Sequence, residues 1–360
     1  MLIILCLGIA VLAVGSLFQL MPAPETSSPP VASRDETDRH ALRNPSAEQS
    51  VSFEQQLYQE LQDALDTDAE PAEEAIVDGH EADPENWPGI VSLQSVLGST
   101  TTHECGGTLI SRDWVLTAAH CVEGVEVEAT GRAAFFDVSD GKRGARMGTA
   151  AAAIGLGRLN DIPKGAVFPI SQVIIHPEYK SGYPQLGNDI ALLRLASPSN
   201  APQMLMEGLS ARKVEYGSGE ELHIAGYGLI GENAQGEKGL TIGGRHISAP
   251  SLILLEGQVP KVETQACRSM MRTQLAENGY DPTALIVNRA TQMCAGAGST
   301  DTCYGDSGGP MTLRQSSGKP VQVGIVSWGV GCGRENSPGV YTRVAGYADW
   351  IKAATGITAP

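Results

Sequence analysis

From about Ile90 onward, hydrophobic residues form short runs separated by Gly- and Pro-containing turns, without the three- to four-residue spacing of long helices. Examples of runs with the length and composition of β-strands are 89–96, 108–110, 114–118, 190–195, 222–225, 321–327 and 340–344. Only the tail, 345–354, has a clearly helical pattern. This spacing of short strands predicts an all-β domain made of barrels or sandwiches, with a short C-terminal helix.

The N-terminal segment has a different pattern. Residues 2–15 are almost wholly apolar, and the small residues at 13–15 suit signal-peptidase cleavage. Extending the run to Met21 gives about 20 residues, enough to span a bilayer, although no Lys or Arg precedes it. We predict that residues 1–21 are a cleaved signal peptide in preference to a retained signal anchor. The protein is then secreted, extracellular or periplasmic, and contacts a membrane only if this segment is kept.

Residues 22–75 are rich in Pro, Ser, Thr, Asp and Glu. Residues 1–75 hold 13 Asp or Glu and three Arg, a net charge of −10 within a whole-chain charge of −16. This composition predicts a largely disordered, acidic propeptide or linker at 22–75. Within it, 52–65 repeats an apolar residue every four positions, which predicts a short amphipathic helix. That helix is either marginal and without a partner, or a propeptide element that docks on the following domain.

Charge and cysteine usage exclude two kinds of function. No Lys/Arg block supports nucleic-acid binding. Of the seven cysteines, Cys6 lies in the N-terminal apolar run, and the other six are Cys105, Cys121, Cys267, Cys294, Cys303 and Cys332. None forms a C-x-x-C pair, which argues against a zinc site. Six cysteines behind an export signal predict three disulfides in an oxidising compartment, with their pairing left open.

The segment 303–310, Cys-Tyr-Gly-Asp-Ser-Gly-Gly-Pro, places a serine among glycines. These glycines let a substrate approach Ser307 from several directions. A tight turn there also points successive backbone N–H groups into one small space, the geometry that holds an oxyanion during acyl transfer. By itself the segment is equally consistent with a structural turn.

Two upstream segments favour the catalytic interpretation. In 116–121 an apolar strand leads to His120 and then Cys121, a rigid placement that suits a base which must reach a serine. In 188–195, Asp189 opens an apolar strand without a neighbouring cation. The alternatives are a structural histidine and an aspartate that forms a local turn. With the serine, these residues are candidates for a triad in the order His, Asp, Ser.

These segments resemble the chymotrypsin/trypsin family of serine endopeptidases. The resemblance runs from about Ile76 to Ile351. It rests on ordered motifs: Ile-Val-Asp-Gly at 76–79, Cys-Gly-Gly-Thr-Leu-Ile at 105–110, the three triad segments, Ser-Trp-Gly at 327–329, Pro-Gly-Val-Tyr at 338–341 and Tyr-Ala-Asp-Trp-Ile at 347–351. It implies a protease domain over 76–355, built of two six-stranded antiparallel β-barrels that join near 200–215, with the active site between them.

The resemblance also implies residue roles. Ser307 is the nucleophile, His120 the general base, and Asp189 the carboxylate that orients the imidazole. The N–H groups of Gly305 and Ser307 form the oxyanion hole. No cofactor or metal ion is implied. The implied disulfides are Cys105–Cys121, Cys267–Cys294 and Cys303–Cys332.

Asp301 stands at the position of the floor of the family's primary pocket. Its other interpretation is a solvated loop carboxylate, but Thr302 keeps the family spacing, and Gly329 and Gly339 match wall positions where glycine leaves the pocket open. A buried carboxylate favours a long cation, so the resemblance implies protein or peptide substrates with Arg or Lys before the scissile bond. We expect the substrate backbone to pair as an antiparallel strand with three residues: Ser327, Trp328 and Gly329.

One departure from the family concerns activation. In the family, a new N-terminal Ile-Val, freed by cleavage after Arg or Lys, folds inward, and its ammonium pairs with the Asp before the nucleophile. Ile76 and Asp306 match these parts, but Glu-Glu-Ala at 73–75 precedes the cut, with no basic residue. We therefore predict a zymogen that is cleaved before Ile76 by a different protease, one that accepts a small residue.

Two alternative functions are compatible with the same fold. One is a catalytically inactive homologue that binds partners, and the other is an anchored scaffold used in adhesion. Loss of a triad residue or an oxyanion-hole glycine would favour either, and none is lost; a metallopeptidase would need H-E-x-x-H, which no histidine supplies. Three stretches, 125–161, 229–250 and 267–294, are longer than is usual in the family, and the sequence leaves open whether they shape exosites.

Overall fold

The computed structural model describes residues 76 and 79–357 of the 360-residue chain, apart from 140–141, 164, 210–213, 230–239, 243–244, 248–249, 280, 285–286 and 316–317. Three predictions made for residues 1–75 lie outside the described residues: the signal or anchor, the acidic propeptide, and the helix at 52–65. Among the residues that the structure does describe, no helix is long and apolar enough to cross a membrane.

The described part of the chain contains 18 β-strands and two α-helices. The strands are His80–Glu81 (β1), Ile90–Leu97 (β2), Thr100–Ser111 (β3), Trp114–Thr117 (β4), Val125–Val127 (β5), Ala133–Ser139 (β6), Lys142–Ile154 (β7), Val167–Ile175 (β8), Ala191–Leu195 (β9), Leu205–Met206 (β10), Glu221–Gly226 (β11), Leu240–Ile242 (β12), Arg245–Ile247 (β13), Leu255–Val262 (β14), Gln292–Ala295 (β15), Pro310–Arg314 (β16), Pro320–Trp328 (β17) and Gly339–Arg343 (β18). The helices are Thr264–Glu277 (α1) and Ala348–Thr355 (α2). Short 3₁₀ turns occur at Pro84–Asn86, His120–Val122, Pro184–Leu186, Pro282–Ala284 and Val344–Tyr347.

Six antiparallel strands close the first barrel in the order β2-β3-β4-β9-β8-β7. The ring is closed because β7 pairs back with β2, from Val91↔Ile154 to Val96↔Thr149. The β5–β6 hairpin extends the sheet from β7. Four consecutive alanines, at 150–153 of β7, are buried, because this strand is covered on both faces.

The second barrel closes in the same way. Its six strands pair antiparallel in the order β14-β11-β16-β17-β18-β15, and β15 pairs back with β14. Strand β1 adds to β14, and β10 pairs in parallel with β17. The barrel interior is filled by apolar side chains that include Leu222, Ile224, Val259 and Val323. The predicted fold class, two six-stranded antiparallel β-barrels with a short C-terminal helix, is confirmed.

The C-terminal segment joins the two barrels. Val344, Tyr347 and Ile351 follow the last strand of the second barrel, yet they are buried in the same apolar cluster as Leu192 of the first. Full burial of an apolar side chain of this size contributes about 1.5–3 kcal/mol. The 3₁₀ turn Val344–Tyr347 and helix α2 therefore pack the end of the second barrel's chain against the first barrel.

Helix α1 is not predicted by the hydrophobic pattern. Glu263 caps its N terminus by accepting hydrogen bonds from two N–H groups of the first turn, at 2.6 and 3.2 Å. Only Cys267 and Met271 are buried along the helix. Two buried residues in an otherwise polar segment give too weak a hydrophobic periodicity for a helix to be recognised in the sequence. Part of the long stretch 267–294 is thus a helix.

The long stretch 125–161 also contains regular structure. Strands β5, β6 and β7 lie within it, and β7 is one of the six strands that close the first barrel. None of the three was among the predicted runs; β7 is rich in Ala, Gly and Arg, residues with little preference for strands, and is selected by tertiary pairing instead. Most of 229–250 lies outside the described residues. The domain limits at 76–355 and the join at 200–215 stay predictions.

Candidate active site

Asp189 is fully buried just before β9 and holds His120 by two hydrogen bonds. Its Oδ1 accepts the backbone N–H of His120 at 2.9 Å, and its Oδ2 lies 2.8 Å from His120 Nδ1. Because an ionised carboxylate only accepts, Nδ1 carries the proton, and the neutral ring presents an unprotonated Nε2. The carboxylate therefore fixes both the position and the tautomer of the imidazole.

The second barrel supplies further donors to Asp189. Ser327 Oγ, near the end of β17, donates to Oδ2 at 2.6 Å, and Thr342 Oγ1 of β18 donates to the carbonyl O of Asp189 at 2.8 Å. A buried carboxylate is costly unless donors surround it, and the Ser327 hydroxyl reduces that cost. Asp189 thus lies where the two barrels touch.

His120 opens a 3₁₀ turn shortly after β4, and the Cys105–Cys121 disulfide ties that turn to β3. Burial by itself would lower the pKa of His120. The hydrogen bond with Asp189 and the negative charges of Asp189 and Glu123 together outweigh burial, so the pKa of His120 is raised. The ring is a stronger base than a solvated imidazole, which suits proton transfer near neutral pH.

The backbone of Ser307 and this imidazole both contact Cys121 Sγ. The carbonyl O of Ser307 accepts the N–H of Gly106 at 2.7 Å, and Cys121 Sγ lies 3.5 Å from that oxygen and 3.8 Å from His120 Nε2. Gly308 permits the close approach: its φ is 80°, and a Cβ there would lie 2.2 Å from a threonine hydroxyl at the end of β4. The three candidate triad residues, from both barrels, are thus brought to one place.

A histidine that the sequence analysis missed holds the candidate oxyanion-hole residue Gly305. His103 Nε2 donates to the carbonyl O of Gly305 at 3.0 Å, and its Nδ1 accepts from Ser92 Oγ at 2.7 Å. Burial lowers the pKa of His103 to about 4, so the ring is neutral near pH 7 and donates through Nε2, since a carbonyl only accepts. The turn before the candidate nucleophile is therefore attached to the first barrel.

Asp306, next to the candidate nucleophile, is fully buried. It accepts two backbone hydrogen bonds, from Gly228 N at 2.8 Å and Cys303 N at 2.9 Å. Burial raises the pKa of Asp306 to about 6, although these two bonds oppose the rise. A buried carboxylate that two N–H groups compensate only in part favours a cationic partner.

Ile76 packs in the same barrel as Asp306. Its side chain is fully buried against the cluster that contains Leu222, Ile224 and Val259, and β1, which follows it, pairs with β14. Its φ is 54°, which is unfavourable for a β-branched residue. The residue predicted to become a new N terminus is therefore seated in the second barrel in a strained backbone conformation.

Asp301 is 3% exposed, so it is a buried group and not a solvated loop carboxylate. Its Oδ1 accepts the N–H of Thr302 at 2.9 Å, and its Oδ2 accepts the N–H of Gly333 at 3.1 Å. Burial raises the pKa of Asp301 to about 7, against the opposing effect of these two N–H groups. Gly339 borders the carboxylate, since a Cβ there would lie 3.2 Å from Oδ1.

The other residues predicted to bind substrate lie around Asp301 and at the end of β17. Thr302 Oγ1 is 3.4 Å from the Tyr341 hydroxyl. Trp328 is half-buried against the cluster around the Cys267–Cys294 disulfide, and Gly329, which follows it, is exposed. Ser327 is predicted to contact substrate through its backbone, and no local motif indicates that its hydroxyl donates to Asp189.

Three disulfide bonds join the six cysteines after Ile76, in the pairs that the family resemblance implies: Cys105–Cys121, Cys267–Cys294 and Cys303–Cys332. Cys105 Sγ, Cys121 Sγ and a ring nitrogen of His120 lie within 4.8 Å of one another, a spacing that would fit a metal ion. Both sulfurs are bonded to each other, however, and metal binding by cysteine requires thiolates.

A comparison with protein families decides the identity of the fold. The trypsin family model matches residues 76–351. The chain belongs to the trypsin family. This confirms the resemblance found in the motifs. It places a serine-protease domain at residues 76–351.

Three curated proteins are similar to this trypsin-family chain. A tryptase of Mus musculus is 33% identical over 279 residues, which cover 77% of this chain and 88% of the tryptase. Serine protease 56 of Homo sapiens is 31% identical over 288 residues, and ovochymase of Halocynthia roretzi is 30% identical over 288 residues. These matches cover 77% and 79% of this chain but span only 38% of serine protease 56 and 15% of ovochymase.

Proposed function

We propose that this trypsin-family protein is a secreted endopeptidase that hydrolyses peptide bonds after Arg or Lys through a triad of His120, Asp189 and Ser307. The observation that carries the proposal is the pair of hydrogen bonds, at 2.9 and 2.8 Å, by which the buried Asp189 fixes His120. A general base needs a fixed tautomer with an unprotonated nitrogen directed at its nucleophile, whereas a structural histidine does not.

In the proposed reaction, Ser307 Oγ attacks the carbonyl carbon of the scissile bond while His120 Nε2 accepts the hydroxyl proton. The N–H groups of Gly305 and Ser307 donate to the oxyanion that forms. His120 then gives the proton to the leaving amine as the C–N bond breaks, and an acyl ester remains on Ser307. Water attacks this ester while His120 takes its proton, and that proton returns to Ser307 Oγ when the acid product leaves.

The preference for Arg or Lys rests on Asp301. Its burial with two N–H donors leaves a negative charge that a guanidinium or ammonium would neutralise. Thr302, Gly329 and Gly339 line the pocket in this proposal. The substrate backbone pairs with the end of β17 at Ser327, Trp328 and Gly329.

Secretion and zymogen activation belong to the same proposal. The apolar N-terminal segment supports export, and three disulfides support an oxidising compartment. Cleavage before Ile76 frees an α-amine, whose ammonium pairs with the buried Asp306 and orders the loop that contains Gly305. The activating protease differs from this one, because Ala75 offers no cation to Asp301.

Titration with a serine-directed phosphonylating reagent that carries a cationic side group tests the proposed nucleophile. We expect one label per processed chain, located on Ser307 by peptide mass mapping, since the base and the oxyanion donors activate this serine alone. Labelling elsewhere, or no labelling of a correctly processed chain, would contradict the triad. It would favour an inactive homologue that only binds partners.

Cleavage before Ile76 is expected to switch activity on, and the active form is expected to lose activity at alkaline pH. A free α-amine has a pKa of about 7.7–8.0, and pairing with Asp306 raises it. The pair between the ammonium and Asp306 stabilises the active form fully below the pKa of the unpaired amine. This stabilisation is lost as the pH rises through the raised pKa of the paired amine. The measurement is kcat/KM against pH for the processed enzyme, beside a sample whose Ile76 amine is acetylated, which should be inactive.

Incubation of the pure precursor, followed by N-terminal sequencing, tests which protease makes the cut. Pure precursor should not process itself, and precursor carrying Ser307→Ala should behave identically. Two outcomes would contradict the activation model. One is full activity in a precursor that keeps residues 70–75, and the other is rapid conversion at Ala75–Ile76 by the parent precursor but not by Ser307→Ala.

A further inference from the structure

Glu123 makes contacts that the proposed mechanism does not use. It follows the 3₁₀ turn His120–Val122, three residues after the candidate base. Its Oε1 accepts two hydrogen bonds, from the Tyr179 hydroxyl at 2.5 Å and from the backbone N–H of Gly182 at 2.7 Å. One carboxylate oxygen thus joins the histidine turn to a segment more than 50 residues away.

The segment that Glu123 holds leads directly to Asp189. Between 176 and 189 the chain forms consecutive turns, closed by backbone hydrogen bonds from Tyr179 to His176 and from Gly187 to Pro184, at 2.9 and 3.0 Å. We name residues 176–189 the aspartate loop. Its two ends are fixed by strands β8 and β9, so its middle depends on side-chain contacts for a defined position.

We propose that Glu123 is a positioning residue of the active site: it clamps the aspartate loop to the turn that carries His120, and its negative charge stabilises the imidazolium form of that histidine. The inference rests on the proposed function, in which His120 must take up a proton during each half of the reaction. It goes beyond the triad, because it adds a second carboxylate that acts on the base through space.

The charges around His120 agree with this role. The charged groups that act on His120 are Asp189 from the aspartate loop and Glu123 from its own turn, and Tyr179 of the same loop donates to Glu123. Burial, followed by the hydrogen bond to Glu123, raises the pKa of Tyr179 far above its usual range, so the phenol stays neutral. Asp189 and Glu123 are then the negative charges, and both raise the pKa of His120.

Glu123→Gln separates charge from shape. The amide keeps a carbonyl oxygen that can accept from Tyr179 and Gly182, but it carries no charge. The imidazolium is then less stable, so the acid limb of kcat/KM should move to lower pH, by about half a pH unit for a partly solvated charge. Above neutral pH, kcat should fall about two- to fivefold because the base is weaker, while KM stays unchanged.

Three further variants distinguish the effect of the Glu123 charge from the effect of its hydrogen bonds and from the loss of any carboxylate in the loop. Glu123→Asp keeps the charge and should keep the parent midpoint of the acid limb. Tyr179→Phe removes a hydrogen bond to Glu123 without removing the charge of Glu123, so it should keep the parent midpoint. Glu178→Gln removes an exposed carboxylate from the same loop, one whose charge acts on His176, and should match the parent throughout.

The experiment is the full pH profile of kcat and KM for an Arg peptide, measured on processed parent and on the four variants. The proposal is overturned if Glu123→Gln has the parent profile, or if Tyr179→Phe lowers the midpoint as much as Glu123→Gln does, which would indicate a purely structural role. If Glu123→Gln does not fold, a parent midpoint in Glu123→Asp supports the proposal, and a lowered one overturns it. Failure of the triad itself shows separately, as parent-level activity in Ser307→Ala.

Discussion

Ser307→Ala is expected to lower kcat/KM for peptide hydrolysis by about 10⁵- to 10⁶-fold while leaving the fold intact. The substitution removes the nucleophilic oxygen, so only the oxyanion donors and substrate binding remain to stabilise the transition state. The contact that positions the segment, from Gly106 N to the Ser307 carbonyl O at 2.7 Å, uses the backbone and survives. The measurement is kcat/KM of the processed variant against the parent, with thermal unfolding recorded for both.

A matched control for this loss is Ser197→Ala. Ser197 is exposed just after β9, and its hydroxyl has no role in the proposed reaction. It should keep parent activity, and both variants should unfold within a few degrees of the parent, as is usual for substitutions that remove no buried contact. Parent-level hydrolysis by Ser307→Ala would show that another group is the nucleophile.

Strand positions could be predicted where they follow a local signal. The runs at 114–118 and 190–195 correspond closely to β4 and β9, whose residues are nearly all buried. The closure of each barrel depends instead on pairing between distant segments, such as β2 with β7. Only the family resemblance implied that closure. Strand β7 was not predicted because alanine has a low intrinsic preference for strands. Its strand conformation is stabilised by pairing and packing with distant segments of the barrel.

The candidate site also contains residues that a local signal predicts and contacts that only tertiary packing creates. His120, Asp189 and Ser307 stand in local motifs, so each could be selected from the sequence. The contacts that support them could not. Ser327 lies 138 residues from the carboxylate that it donates to, and His103 lies 202 residues from its carbonyl partner. Such hydrogen bonds are created by tertiary packing, and a serine or histidine within a strand carries no local sign of them.

Asp301→Ser is expected to remove the preference for Arg and Lys. The parent should cleave after these residues far better than after Phe or Leu, because their cation pairs with a buried carboxylate. Without that carboxylate, a substrate cation would be buried unpaired, which should lower kcat/KM for Arg peptides by about 10²- to 10⁴-fold. The measurement is kcat/KM for a peptide series that differs only in the residue before the scissile bond.

Glu335→Gln is the matched control for this substitution. Glu335 is an exposed carboxylate two residues after Gly333, whose N–H donates to Asp301 at 3.1 Å. Removing its charge changes the net charge of the protein by the same amount as Asp301→Ser does. Because an exposed charge is screened by solvent, this variant should keep the parent preference for Arg and Lys.

Competition by small aryl-amidine cations tests the charge of the pocket without any catalytic step. Burial raises the pKa of Asp301 to about 7, and only the ionised carboxylate attracts a cation. Amidine affinity in the parent should therefore fall as the pH drops through this value, by up to about tenfold per pH unit, because binding must then displace a proton. Asp301→Ser should bind amidines weakly at every pH. A parent that prefers Phe or Leu, or an amidine affinity that Asp301→Ser leaves unchanged, would show that this carboxylate is not the floor of the specificity pocket.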